Sequence, residues 1–476
     1  MGLFDKIKIW LQELWAKMIN QADVKSAAGI DIAVSAPMLI ALRDWSLMYI
    51  NHAPWLTGKK ASLGLPAAIS SEIARAVTIK MKVNLEGNNP RTVFLTEQMK
   101  PVLTKLRKEV EYGVAKGGLM MKPFVDDNNQ IIVDFVQADQ FYPVAFDASG
   151  KITSCVFADQ RTVGNMIYTR LEFHDFKNGQ YTIKNQAFRA MGVASNRYAQ
   201  NVLGSKCPLA ELPAWKGLAE EATVTGIHKP LFGYFKYPIA NNIDPASPLG
   251  VSCFARDVDL IRQADEQWDN FLWEFMSSKR ALYVDANAFD KDKQGRPILP
   301  DYRLYRTLSG IADLSKDDFF EEWSPEIRDA SILNGLDAIL RRIEFNSGLA
   351  YGTFSNPQTV DKTATELKIA QQRSFATITD TQKALQDSLD DLLYAMDIWC
   401  TLNNLAPKGT FNIAYDFDDS VIVDRDAQFT QDLRLVTTQI MSPVEFRMRN
   451  FGEDLATATQ KIKEATPEPL TIDQGA

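Results

Sequence analysis

Between Thr363 and Pro407 no proline interrupts the chain, and most of its residues favour helix. Thr363 followed three positions later by Glu366 is the spacing of a capping box, in which the threonine hydroxyl accepts from a first-turn amide and the glutamate reaches back to the cap. The pattern predicts one helix over 363–404, about 40 residues and roughly 60 Å long at 1.5 Å per residue. The stretch before it, YGTFSNPQTVDK, holds Gly352, Ser355, Asn356 and Pro357, all turn formers. A loop therefore feeds the helix, and any fold this chain adopts must seat both.

At 476 residues the chain exceeds one typical core and should divide into two or more parts. Hydrophobic residues at 46% and charged residues at 24% are ordinary for a globular protein and exclude a wholly disordered or fibrous one. Acidic residues outnumber basic ones 60 to 52, so bulk charge opposes tight wrapping of nucleic acid, which needs concentrated Lys and Arg. Cys155, Cys207, Cys253 and Cys400 stand far apart with no CxxC pair, which argues against a zinc site or a disulfide framework and for a reducing compartment. The longest apolar run, near Ile32 to Ala41, is broken by Ser35 and Pro37 and falls short of the about 20 residues a membrane span requires.

The N-terminus puts Leu3, Phe4, Ile7, Trp10, Leu11, Leu14, Trp15 and Met18 on one helical stripe, read as a helix docked on its own protein or a neighbouring subunit. An interfacial membrane helix is the alternative. Gly2 does not complete a myristoylation motif, because Lys6 occupies the Ser/Thr place.

Residues 34–77 read as largely helical, with Ile69, Ile73 and Val77 at four-residue spacing. Alternating stretches around Asp126–Asn129, Asp147–Gly150 and Lys177–Gly179 predict antiparallel hairpins in one α+β body over 81–235. A second long helix is expected from near Ser252, with Phe254, Val258, Ile261, Ala264, Trp268, Phe271, Leu272 and Phe275 on its apolar stripe. Asp257, Asp265, Asp269 and Glu274 should then form an acidic outer face. After a strand-like ALYVDANAF, another helix follows Ser324 and Pro325, with Ile327, Leu333, Leu336, Ile339, Leu340 and Ile343 on its stripe. GTFNIAYDFDDSVIVD returns to strand alternation and should rejoin the earlier body, since a lone strand cannot stand alone. Two or three short helices close the chain, one of them marked by Ser442, Pro443 and Glu445.

Catalytic chemistry is nearly silent. There is no phosphate-binding loop, no GxSxG and no HExxH, and His52, His174 and His228 are scattered and read as structural. Asp290, Asp292, Gln294, Gly295 and Asp301 approximate a calcium loop, but the missing flanking helices favour a solvated hairpin turn. Asp416, Asp418 and Asp419 would suit magnesium in a nuclease, although outward carboxylates on an edge strand explain them as well. Neither a cofactor, a metal nor a catalytic residue is assigned.

Several segments, in order and over almost the whole chain, resemble the portal proteins of tailed bacteriophages. They are DWSLMYINHAPW, EIARAVTIK, KPFVDDNNQIIVDFVQADQFYPV, YTRLEFHDF, SGLAYGTF leading to KTATEL, and DFDDSVIVD. The run Thr363, Ala364, Thr365, Glu366 is the strongest single element.

The resemblance implies an α+β portal fold whose long helices line the central channel of a ring, commonly dodecameric, at one capsid vertex of the virion. It implies a wing over 1–246, stem helices over 247–280 and 327–349, and a clip over 281–326. A tunnel loop over 350–362, a long wing helix over 363–404, a wing strand over 405–425 and a short crown with the C-terminal tail over 426–476 complete it. Tyr351, Thr353, Phe354, Ser355, Asn356, Gln358 and Lys362 would then line the channel, in a loop that moves relative to the helix at Thr363. Lys362 would touch phosphate, or pair with Asp361 or Glu366. Tyr302, Tyr305, Phe319, Phe320 and Trp323 would bind partners on the clip. Implied partners are further copies of the chain, the terminase large subunit, a head-tail adaptor, the major capsid and scaffolding proteins, and double-stranded DNA passing without regard to sequence. The rival readings are a metal-dependent DNA-processing enzyme and a peripheral membrane protein.

Overall fold

The computed structural model describes residues 32–58, 60–79, 81–191, 203–278, 281–285, 290, 294, 305–308, 320–323, 326–356, 364–417 and 425–465. The N-terminal amphipathic stripe, Gln358, Lys362, the capping pair at Thr363, Asp292, Gly295, Asp301, Tyr302, Phe319, Asp418 and Asp419 lie outside that description or have undescribed side chains.

Two helices open it, α1 (Ala36–Tyr49) and α2 (Leu65–Thr78). The expected stripe of α2 is its buried face, with Ile69, Ile73 and Val77 at 0%, 1% and 1% exposure. Strand β1 (Met81–Glu86) leads to α3 (Pro90–Lys116), started by Asn89, whose side chain accepts from the Thr92 amide at 3.0 Å. Then come β2 (Gly118–Val125), β3 (Ile131–Gln137), β4 (Phe141–Phe146), β5 (Ile152–Val163), β6 (Met166–Lys177) and β7 (Gln180–Met191). Their tight turns fall where the turn residues predict: Asn129, Gly150, Asn178 and Gly179 all adopt positive φ there.

Short strands β8 (Ser205–Cys207), β9 (Glu221–Thr225) and β10 (Gly233–Lys236) follow. A six-stranded antiparallel sheet runs β4-β5-β6-β7-β8 with β9 also on β7, and a second sheet runs β10-β2-β3.

Helix α4 (Val258–Ser277) begins six residues later than its stripe suggests. Ser252 does not start it: its hydroxyl takes the Phe254 amide at 3.3 Å and its carbonyl the Ala255 amide, closing a separate turn first. Between α4 and α5 (Asp329–Asn346) lies a three-stranded sheet of β11 (Ala281–Asp285), β12 (Tyr305–Leu308) and β13 (Phe320–Trp323). Its centre is β11, parallel to β12 and antiparallel to β13, with Tyr305 opposite Leu282, Phe320 opposite Val284 and Trp323 opposite Ala281.

The long helix is there. Helix α6 (Ala364–Leu402) has 39 residues. From Ile378 on it is the spine of the core: Leu385, Leu389, Leu392, Leu393, Ala395, Met396 and Cys400 are all at 0% exposure. Burying the leucines and the methionine among them contributes about 2 kcal/mol each, which stabilises a helix of this length. Strand β10 lies directly on it, since a Cβ on Gly233 would stand 2.3 Å from the Ser388 carbonyl oxygen. Strand β14 (Asn412–Phe417) then pairs with β1, so the returning strand rejoins the earlier body as expected.

The described residues fall into two units, one of the chain up to Ile79 with Val83–Tyr415, the other of the chain from Asp416 onward with the segment Lys80–Lys82. The latter holds α7 (Arg425–Thr437), α8 (Pro443–Phe451) and α9 (Leu455–Ala465). Ser442 caps α8 by accepting the Glu445 amide at 3.0 Å, and Phe429, Phe446 and Phe451 pack edge to face.

Candidate functional site

Helices α4 and α5 pair antiparallel, and a buried acid fastens each end of the pair. At one end Asp257, fully buried, accepts from the Asn346 side chain at 2.7 Å and the Ser347 hydroxyl at 3.0 Å. At the other, Glu274 takes the Arg328 guanidinium through both oxygens at 3.1 and 3.0 Å and the Arg328 amide at 3.2 Å. Between them Asp265 accepts from Trp55 Nε1 at 2.9 Å and the Leu63 amide at 2.8 Å. The acidic face expected of α4 fails at three of its four residues: Asp257, Asp265 and Glu274 are at 0%, 4% and 5% exposure, each facing donors from another element, while Asp269 is half-buried. Leu272, Trp273, Phe275 and Met276 are instead exposed. A carboxylate is tolerated inside when donors meet it, and those donors are far away in sequence.

Burial pushes the Asp257 carboxyl up to about 6, against the opposing hydrogen bonds of Asn346 and Ser347. Glu274 stays below the usual carboxylate range because of its bonds to Arg328.

The chain leaves α5 through Gly348 at φ +71, where the Leu349 amide reaches back to the Glu344 carbonyl at 2.9 Å. A Cβ on Gly348 would lie 2.3 Å from Thr377 Oγ1 of α6, so the turn is pressed against the long helix. Beyond it the described residues of the loop bond back to α5. Glu344 is fully buried, and its carboxylate accepts from the amides of Gly352, Phe354 and Ser355 at 3.2, 2.6 and 2.8 Å and from the Ser355 hydroxyl at 2.8 Å. The Asn356 amide donates to Asp337 at 2.6 Å.

The described half of the loop is bonded to α5 through Glu344 and Asp337. Tyr351 and Thr353 are exposed and Ser355 is buried against Glu344. Tyr351 stacks on Phe345 at 6.5 Å, and Phe345 carries Arg373 of α6 at 3.7 Å and Arg342 at 5.1 Å over its ring. Two guanidinium groups therefore lie over Phe345 of α5, on which the loop's Tyr351 stacks, where the sequence pointed only to Lys362.

Glu344, Asp337, Arg342 and Arg373 were not singled out by sequence reasoning. One signal was available: Leu336, Leu340 and Glu344 follow at four-residue spacing, which places a carboxylate on an apolar stripe.

Elsewhere, His174 lies buried between Tyr181 and Glu172, and burial lowers its pKa against the pull of Glu172. Burial pushes the Glu172 carboxyl up, but Lys122, His174 and Arg170 more than reverse this and hold it well below the usual range. Asp416 is exposed and lies 3.9 Å from Lys82, while Asp290 and Gln294 are exposed. Among the described residues no three His, Cys, Asp or Glu converge as metal ligands, and no helix is long and apolar enough to cross a membrane.

The model of the family described as Phage portal protein, SPP1 Gp6-like, matches residues 77–466. No curated protein matches the chain.

Proposed function

From a chain that belongs to the phage portal family, we propose a subunit of the ring at one capsid vertex, whose central channel is the conduit for double-stranded DNA during packaging and ejection. The observation that carries this reading is the loop at Tyr351–Asn356, held on the end of an antiparallel helix pair and feeding a 39-residue helix. A long helix with its far half in the core is a rigid spoke, suited to hold a loop at a constriction. In this reading 247–280 and 327–349 are the stem, 350–362 the tunnel loop and 363–404 the spoke of the wing. The sheet of β11, β12 and β13 belongs to the clip, 281–326, which docks the terminase large subunit and later the head-tail adaptor.

Contact with DNA is weak and blind to sequence, because a tight grip would stall movement and backbone contacts carry no base information. Arg342, Arg373 and the exposed Tyr351 are the described groups suited to touch phosphate and sugar.

Electron microscopy of the purified full chain tests the assembly. Closed rings with a central channel are expected, and only monomers at every protein concentration would overturn it.

A further inference from the structure

We propose that Glu344 is a positioning residue that makes residues 349–356 a rigid extension of α5, so that the loop travels with that helix. Its consequence for DNA rests on the channel reading above; its geometry does not.

A carboxylate has about four acceptor sites, and Glu344 meets four donors: the Gly352, Phe354 and Ser355 amides and the Ser355 hydroxyl. The side chain is fully buried, so water cannot replace these bonds, and releasing the loop would strand a charge and its donors together. The next amide, that of Asn356, reaches Asp337, seven residues earlier on the same helix. Seven residues are about 10 Å of helix, so the chain doubles back along α5 instead of leaving it. Gly348, in its left-handed conformation, makes that reversal possible. Tyr351 closes the far side by stacking on Phe345, which Arg373 covers in turn. A loop so fastened cannot flap by itself; shifting it requires shifting α5 or breaking the strap.

Backbone hydrogen exchange in the assembled full chain tests this. Glu344→Gln keeps the side-chain volume but turns one acceptor oxygen into a donor that faces N–H groups. Exchange at Gly352, Phe354 and Ser355 is expected to quicken about tenfold or more, while the α6 core amides from Leu385 to Met396 change less than about twofold. Glu344→Asp should restore part of the protection. Ser355→Ala, which removes one bond only, should give a smaller acceleration at the same amides and decides the matter if the glutamine variant does not fold. Unchanged exchange at these amides overturns the proposal, as does an acceleration shared equally by the α6 core, which would mark Glu344 as a general stability residue. DNA retention in particles carrying Glu344→Gln is read separately. Faster exchange with undiminished retention upholds the strap and overturns the placing of this loop in the channel.

Discussion

Arg91 is a buried side chain with five hydrogen bonds. At 1% exposure it donates to the carbonyls of Asp397, Ala406 and Pro407, to the Asp397 carboxylate and to Thr401 Oγ1, at 2.8 to 3.1 Å. It ties the start of α3 to the end of α6 and the turn beyond. Arg91→Met fills the space but takes this donor from the Ala406 and Pro407 carbonyls and the Asp397 carboxylate, so a loss of at least about 3 kcal/mol is expected in urea unfolding. A loss under about 1 kcal/mol would mean that water replaces the bonds. Asp257 gives the pH prediction. Its folded pKa of about 6 lies above the ordinary 3.8, so the folded chain binds the proton more tightly than the unfolded one. Its contribution to stability therefore falls as pH rises from about 4 to about 6, by about 1.4 kcal/mol per unit, and stays at its lower value above that. The stability difference between the parent and Asp257→Asn should show this slope across pH 4 to 6, and a flat difference refutes it.

Helix α6 is buried in the core from Ile378 onward, and the loop precedes its other end in the chain, which makes its halves unequal to mutation. Leu389→Ala, at a fully buried position, should cost about 2–5 kcal/mol, measured by thermal or denaturant unfolding. Deletion of about six residues around Asn356 should impair packaging or retention of DNA while rings still form, at a cost of about 1–3 kcal/mol in subunit stability because it takes donors away from the buried Glu344. Failure of rings to form at all would make the loop an assembly element. The α4–α5 pair depends on its end fastenings, and Arg328 is itself exposed enough for water to compensate, so its loss should be milder than that of Arg91.

Assembly is decided across the whole molecule. The exposed stretch Leu272, Trp273, Phe275 and Met276 on α4, with Ile327 and Leu333 near the start of α5, is apolar surface that one copy leaves in water. In a ring it would meet neighbouring copies. Trp273→Glu is expected to leave the fold of the single chain unchanged by circular dichroism while shifting mass photometry from rings toward smaller species. Undiminished ring formation would place the subunit contact elsewhere. Replacing the clip by a short linker should likewise abolish terminase binding without unfolding the rest, and retained binding would refute its docking role.

Local order was legible in the residues alone. The hairpin turns at Asn129, Gly150 and Asn178–Gly179, the buried stripe of α2, the cap at Ser442 and the uninterrupted run of α6 each depend on neighbours within a few positions, where sequence and conformation are directly coupled. So did the family, through motifs spread along the chain. What the tertiary structure alone decided is where the charges go. Asp257, Asp265 and Glu274 belonged, by periodicity, to a wet face of α4, and the fold buries them against donors 54 to 210 positions away. Glu344 reads as one more polar residue near a helix end, yet it organises the loop after it. Helical periodicity records which side of a helix a residue occupies, but whether that side is dry, and whether a partner waits there for a carboxylate, is settled only when distant segments meet.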